Sequence, residues 1–219
     1  MEISGGIKIH LLVHDSVRLK KKDLVIYWDH FRLTDQSYEP ADIVIISHEH
    51  FDHCSPDDLK KVITPKTVIV ASNQCKSLIQ DLLIKQIRCL KPGESTAIED
   101  VNIEAVPAYN INKFKAPGQV FHPKEDLKNG YVITIDKKRI YHAGDTDVIP
   151  EMNAIKNIDL AFLPVSGTYV MTAEEAAEAA TILKPKVAVP YHYGIVVGTR
   201  KDAERFKQLA KETDVQILL

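Results

Sequence analysis

The chain has 219 residues, of which 45% are hydrophobic and 26% are charged, as expected for a globular protein rather than a disordered or fibrous one. Its formal net charge of −2 argues against a nucleic acid or an anionic membrane as partner. No apolar run approaches the roughly 20 residues that cross a bilayer, and no basic-then-apolar leader is evident, so we expect a cytoplasmic protein.

We predict one domain over residues 1–219, because no linker, repeat or low-complexity tract divides the sequence. Three cysteines at irregular spacing, Cys54, Cys75 and Cys89, favour free thiols in a reducing compartment over a disulfide framework. Function is therefore expected to depend on local clusters of side chains rather than on overall charge or on disulfides.

The first part of the chain is predicted to be rich in short strands. Two apolar runs, residues 7–13 and 24–28, flank the basic stretch 18–22 and are predicted to form a hairpin. The β-branched run Ile43–Ile46 is too short for a helix and is apolar on both faces. It is predicted to be a central strand, and it leads directly into a cluster of histidines.

Helices and strands are predicted to alternate after that cluster. Ser55, Pro56 and two following acids suit a helix start, so a helix is predicted to about Val62. A capping box at Thr172 opens another helix. Further helices are predicted over residues 74–85 and 201–211, a long loop over residues 107–130, and strands at residues 67–71, 101–106, 131–135, 139–143, 160–165 and 187–189.

The chemistry of the sequence is concentrated in one stretch of six residues, His48-Glu49-His50-Phe51-Asp52-His53. Side chains two residues apart at the end of a strand point the same way, so His48 and His50 can bind one metal ion. Where the chain turns, Asp52 and His53 can reach a second ion, which lies about 3.5–4 Å away in two-metal hydrolases. The cluster therefore predicts a site for one or two divalent ions.

Two simpler interpretations compete with this prediction. The histidines could be surface residues beside a helix start, with Asp52 only adding negative charge there. A closed structural zinc site is the other, but such sites are usually rich in cysteine and only Cys54 lies nearby. An open catalytic site fits the residue types better.

Two more candidate ligands follow predicted strands later in the chain. Asp145 comes after an apolar strand and a glycine, and its two carboxylate oxygens could bridge two ions. His192 stands in the same relation to the strand before it, within Pro190-Tyr191-His192-Tyr193-Gly194. Either residue alone would be weak evidence, but together with the histidine cluster they support a metal site.

The order H-x-H-x-D-H, then G-D-T, then a late histidine resembles the metallo-β-lactamase superfamily of metal-dependent hydrolases. The resemblance covers nearly the whole chain and is greatest to the small single-domain group that includes the ascorbate-6-phosphate lactonase type. It implies an α+β fold, a four-layer αββα sandwich with the metals at one edge. It further implies that one ion is bound by His48 and His50, the second by Asp52, His53 and His192, and both by Asp145.

One ligand of that pattern is missing here. The superfamily usually supplies a further histidine to the first ion from the strand end that reads Val106-Pro107-Ala108-Tyr109-Asn110 in this chain. Asn110 or His122 is the preferred replacement, and the phenol of Tyr109 or the ring of His142 is the other choice. The number of ions, one or two, is left open by this departure.

His14 and Asp29, which follow the first two predicted strands, lie where similar proteins have a histidine and an aspartate. Asp29 is expected to orient a ligand histidine through a hydrogen bond. For both residues, a purely structural role at a strand end is an equal alternative. In the 107–130 loop, Lys124 is predicted to contact an anionic group of the substrate, with a solvated flexible loop as the alternative.

These observations predict a hydrolase that uses a metal-bound hydroxide, with Asp52 or Asp145 orienting the nucleophile and accepting its proton. The expected substrate is a small, anionic ester, lactone or phosphodiester. Zinc is the first choice of metal, with manganese and iron as alternatives. A degenerate, non-catalytic metal-binding member of the fold and an iron redox protein are the competing functions. The sequence does not predict an oligomeric state.

Overall fold

The computed structural model describes residues 1–34 and 38–219, which form two compact units. The first unit comprises residues 1–90 together with Leu219, and the second comprises residues 91–218. Each unit contains one large β-sheet. The division does not test the prediction of one domain over residues 1–219, which stays a prediction.

Within the described residues, the sheet of the first unit has seven strands in chain order from edge to edge. They are β1 (Glu2–Ile3), β2 (Ile7–Val13), β3 (Ser16–Lys21), β4 (Leu24–Trp28), β5 (Ile43–Ile46), β6 (Val68–Ser72) and β7 (Gln86–Leu90). Neighbours from β1 to β4 are antiparallel, and those from β4 to β7 are parallel. The prediction that residues 43–46 form a central strand is confirmed, since all four are buried between β4 and β6.

The predicted opening hairpin is wrong, because the basic stretch is itself a strand. Residues of β3 pair with β2 on one side and with β4 on the other. Val17 and Leu19 are buried, while Arg18 and Lys20, which alternate with them, keep part of their surface in solvent. The period-two alternation was present in the sequence, but the charged residues obscured it.

Both helices of the first unit are shorter than predicted: α1 is Pro56–Leu59 and α2 is Lys76–Ile79. The predicted start of α1 is confirmed, because the Ser55 side chain accepts a hydrogen bond from the Asp58 backbone. After α2 the chain turns, and the Lys85 backbone already hydrogen-bonds to Thr67 at the start of the β6–β7 ladder. A helix over residues 74–85 would prevent this start of the parallel pairing between β6 and β7.

The sheet of the second unit also has seven strands among the described residues, in the order β16-β15-β14-β13-β12-β9-β8. They are β8 (Ser95–Ile98), β9 (Val101–Pro107), β12 (Asn129–Ile135), β13 (Lys138–His142), β14 (Leu160–Pro164), β15 (Val187–Tyr191) and β16 (Asp214–Val215). Strands β13 to β16 are parallel, so their carboxyl ends lie at one edge. The long loop predicted before β12 contains a small hairpin, β10 (Phe114–Ala116) with β11 (Gln119–Val120).

The two longer helices belong to the second unit and agree with the sequence. Helix α3 (Ala173–Leu183) begins with the predicted capping box between Thr172 and Glu175, and α4 (Arg200–Leu209) lies near the predicted position. The three cysteines are free thiols, as predicted. None of the helices in residues 1–34 and 38–219 is long and apolar enough to cross a membrane.

Candidate functional site

His48 and His50 lie just after β5, where the buried strand ends. His48 is fully buried, whereas the His50 side chain is 41% exposed. The Nε2 atom of His48 lies 3.0 Å from the Nδ1 atom of His50. Two nitrogens each about 2.1 Å from one ion can be this close. The structure therefore brings together the pair predicted to bind the first ion.

Asp52 and His53 come together with two residues that follow β2, His14 and Asp15. The Nε2 atom of His53 lies 3.1 Å from Asp15 Oδ2 and 3.9 Å from Asp52 Oδ2, and His14 Nε2 lies 3.7 Å from Asp52 Oδ2. All four side chains are buried. Asp15 was missed in the sequence, although an adjacent histidine and acid at the end of an apolar strand was an available signal.

Asp29 fixes the orientation of His53 from the end of β4. Its Oδ2 atom lies 2.7 Å from His53 Nδ1 and accepts a hydrogen bond from the Ser47 hydroxyl at 2.7 Å. Its Oδ1 atom accepts from the Ser47 backbone at 2.8 Å. A carboxylate at Nδ1 keeps the proton on that nitrogen and leaves a lone pair on Nε2, the tautomer that a metal requires.

Asp145 lies between two histidine rings in the second unit. Its Oδ2 atom is 3.3 Å from His122 Nε2 and 3.4 Å from His192 Nε2. Asp145 follows Gly144, which has φ +65°, and a Cβ atom there would lie 2.5 Å from the Asn129 carbonyl oxygen. Only glycine fits this turn, so the backbone directs the carboxylate toward the two rings.

Asn110 holds His122 in place. Its side-chain oxygen accepts hydrogen bonds from the His122 backbone at 2.9 Å and from His122 Nδ1 at 2.8 Å. Its amide nitrogen donates to Asp147 and to the Tyr169 carbonyl. Asn110 thus uses its oxygen on His122, and the Nε2 atom of His122 is the one that approaches Asp145.

The segment that precedes His122 is anchored by charged groups. Asp147 Oδ2 accepts hydrogen bonds from the backbones of Ile111 and Asn112. Lys113, although only 8% exposed, lies 3.2 Å from Asp147 and 2.7 Å from Glu175 in the first turn of α3. These contacts connect the loop to α3 and limit its freedom.

The remaining candidates have other partners. The ring of His142 packs against Tyr191 at 4.6 Å, and its Nδ1 atom accepts a hydrogen bond from the Gly144 backbone. The Tyr109 hydroxyl donates to Glu151 at 2.9 Å. Lys124 lies 2.7 Å from Glu151 and 4.8 Å from the centre of the Tyr109 ring. The hydrogen bond to Glu151 raises the pKa of Lys124, which therefore stays protonated.

Comparison with known proteins adds three findings. A family model described as the beta-lactamase superfamily domain matches residues 8–192. A metal-dependent hydrolase from Thermococcus onnurineus is 33% identical over 193 residues, which cover 82% of this chain and 79% of that protein. A metal-dependent hydrolase from Pelotomaculum thermopropionicum is 32% identical over 195 residues, which cover 81% of this chain and 79% of that protein.

Two solved structures are also similar. One, named a metal-dependent hydrolase from Parabacteroides distasonis, is 34% identical with a TM-score of 0.84 and covers 99% of this chain and 96% of its own. The second, the metallo hydrolase Igni18 from Ignicoccus hospitalis, is 23% identical with a TM-score of 0.78. The match covers 96% of this chain and 94% of that protein. Together with the two large sheets, these matches confirm the predicted α+β class and the metallo-β-lactamase fold.

Proposed function

The chain belongs to the beta-lactamase superfamily of metal-dependent hydrolases, and we propose that His48, His50, Asp52, His53, Asp145 and His192 bind its ions. The observation that carries this proposal is the arrangement around His53. Its Nδ1 atom is held by Asp29 while its Nε2 atom lies 3.1 Å from Asp15 Oδ2. A metal-binding histidine typically donates the N–H of one ring nitrogen to a carboxylate, and its other ring nitrogen lies beside a further ligand atom.

The donor atoms suit a divalent ion with a preference for nitrogen and oxygen. Imidazole and carboxylate groups bind zinc, manganese and iron, so zinc remains the first choice and the other two remain alternatives. Cys54 belongs to the apolar core of the first unit, with Cys75 and Leu59. A thiolate-rich structural zinc site is therefore not favoured by the residues around Cys54.

We further propose that His122 supplies the histidine missing from the strand end. It is oriented through Nδ1 by Asn110, in the same way that Asp29 orients His53. Its Nε2 atom lies 3.3 Å from Asp145, the carboxylate assigned to both ions. Asn110 is then a positioning residue rather than a ligand. Asp15, from the turn after β2, adds a carboxylate beside His53 for the second ion.

The reaction follows from what these side chains can do. A bound divalent ion would lower the pKa of water toward 7 and polarise a carbonyl or phosphoryl oxygen. We propose that Asp52 or Asp145 orients the attacking water and accepts its proton. Asp29 and Asn110 hold histidine rings, so that little reorganisation is needed when a substrate binds.

The proposed substrate is a small, anionic molecule with an ester, lactone or phosphodiester bond, hydrolysed in the cytoplasm. Lys124 is the proposed contact for its anionic group, because this lysine is protonated and its side chain is 58% exposed. The similarity to the ascorbate-6-phosphate lactonase type stays a prediction. The fit of His122 to the missing position supports the hydrolase over a degenerate, non-catalytic member of the fold.

The experiment is a hydrolysis screen of the purified protein with small esters, lactones and phosphodiesters. We expect one class of bond to be cleaved, the activity to disappear with a chelator, and zinc, manganese or iron to restore it. Failure to cleave any class by protein that carries its full metal complement would favour the non-catalytic alternative. Oxygen consumption by an iron-loaded sample would favour the redox alternative instead.

A further inference from the structure

A cavity of about 690 Å³ lies in the second unit, away from the candidate metal ligands of that unit. It is formed where β13 begins at Lys138, where the chain enters β14 and β15, and where α3 ends. Asp145 and His192 follow the opposite, carboxyl ends of β13 and β15. A five-residue strand spans roughly 13–17 Å at about 3.3 Å per residue, so the cavity and these ligands are separate features. Its volume is typical of small-molecule sites.

The lining of this cavity is strongly basic. Six cationic side chains line it, with Asp159 as its one carboxylate among the described residues: Lys137, Lys138, Arg139, Lys156, Lys184 and Lys186. Asp159 lies 2.7 Å from Lys186 and 3.6 Å from Lys138. Arg139 is compensated from outside the cavity, by Glu104 at 2.8 Å. Six cations against the two carboxylates Asp159 and Glu104 leave an excess of four positive charges.

That excess resides mainly on three lysines. In the part of the chain that the structure describes, Lys137, Lys156 and Lys184 have no carboxylate partner, and all three are exposed. They come from three separate segments: the β12–β13 turn, the segment before β14, and the end of α3. Their convergence on one concave surface concentrates positive potential there, although the chain as a whole has a net charge of −2.

We propose that this cavity binds a small organic polyphosphate, with a nucleoside triphosphate as the model ligand. A triphosphate has a charge near the excess of four, and lysine ammonium groups bind phosphate oxygens as point charges. Ile182, which is partly exposed, also lines the cavity and offers an apolar surface for the organic part of the ligand. The site is independent of the proposed hydrolysis, because it uses none of the candidate metal ligands.

The backbone allows a test that separates binding from folding. Lys137 and Lys184 have φ values of +63° and +48°, the left-handed region that glycine adopts without steric cost. Lys137→Gly and Lys184→Gly therefore remove a cation where the new residue fits the backbone. Lys22, an exposed residue of the first unit with φ +52°, provides the matched control Lys22→Gly.

The experiment is calorimetric titration of the full-length protein with ATP at low ionic strength, with adenosine as the uncharged comparison. We expect ATP to bind and adenosine not to bind. Lys137→Gly and Lys184→Gly should each weaken ATP binding about tenfold, as for loss of one charged hydrogen bond, while their melting temperatures stay equal to or above that of the wild type. The control Lys22→Gly should bind ATP like the wild type.

Three results would overturn the proposal. The first is an absence of ATP binding to the wild-type protein. The second is equal ATP affinity in Lys184→Gly, Lys137→Gly and the wild type. The third is an equal loss in Lys22→Gly, which would show attraction to exposed lysines in general rather than to this cavity.

Discussion

Asp29 and His53 form a buried pair, with 2.7 Å between the carboxylate Oδ2 and the imidazole Nδ1. Asp29 has φ +36° at the end of β4, and its backbone N–H donates to Ile45 in the neighbouring strand β5. The pair therefore lies where β4 and β5 end, so the fold sets the orientation of the His53 ring before any ion binds.

This relationship predicts the effect of Asp29→Asn. The variant keeps the shape of the side chain but loses the negative charge that stabilises the proton on His53 Nδ1. We expect metal affinity to fall about 10- to 100-fold, as for other partners of ligand histidines. The measurement is zinc affinity by competition with a chelator.

The matched control is Asp57→Asn, at a side chain that is 92% exposed. An unchanged zinc affinity in Asp29→Asn would contradict the prediction.

A second prediction concerns His122 and Asn110. Loss of the proposed ligand should reduce metal binding more than loss of the residue that orients it. His122→Ala removes the proposed ligand, so we expect the bound metal to drop by up to one ion per chain. Asn110→Ala removes only the acceptor for His122 Nδ1 and should lower affinity about 10- to 100-fold without abolishing binding. Metal content after dialysis against a weak chelator distinguishes the two variants.

His10 and Tyr109 provide the controls for this series. His10→Ala removes an exposed histidine of β2 and should retain all of the metal. Tyr109→Phe removes the hydroxyl that hydrogen-bonds Glu151 and should also retain it. If Tyr109→Phe loses metal while His122→Ala does not, the assignment of the missing ligand is wrong.

Much of the candidate site could be predicted from the sequence because its proposed ligands follow strands with a clear apolar pattern. His48, His50, Asp145 and His192 each lie within four residues of the end of a predicted strand. The role of Asn110 toward His122 could not be predicted, since it depends on a hydrogen bond across twelve residues of irregular loop. Sequence periodicity contains no information about such a contact.

The fold was predictable where one pattern dominated and not where patterns competed. The buried run Ile43–Ile46 allowed only a strand. Residues 74–85 contained leucines at helical spacing, but parallel pairing of β7 with β6 determined the structure. Leu83, which lies within this stretch, is 76% exposed. Tertiary pairing of this kind overrides local helix preference.

His30 predicts a pH dependence of stability. Its ring is fully buried, and burial lowers its pKa from 6.5 to about 4, against the opposing effect of the nearby Asp29 and Asp58 charges. Since this pKa is depressed in the folded state, the unfolded chain binds more protons between pH 6.5 and 4. The free energy of unfolding therefore falls as the pH is lowered through that window, by at most about 3 kcal/mol from this group.

The measurement is denaturant unfolding of the wild type and of His30→Leu at several pH values from 7 to 4. The other histidines are present in both proteins, so the informative quantity is the difference between the two pH slopes. We expect the stability of His30→Leu to fall less steeply. Parallel slopes would show that the pKa of His30 is not depressed in the folded protein.

Lys124 predicts a change in substrate affinity rather than in metal binding. Lys124→Ala removes the proposed contact to an anionic substrate, and KM is expected to rise about tenfold with little change in kcat. Lys60→Ala, at an exposed lysine paired with Asp57, is the control of equal charge change. An unchanged KM in Lys124→Ala would show that Lys124 does not contact the substrate and only forms its ion pair with Glu151.

Elemental analysis of the purified protein, beside His48→Ala and Asp145→Ala, tests most directly whether these residues bind metal. We expect one or two equivalents of zinc, manganese or iron in the wild type and a lower content in both variants, with His10→Ala as the control that retains the metal. A wild-type protein that contains no such metal and binds none on titration would show that these residues do not form a metal site.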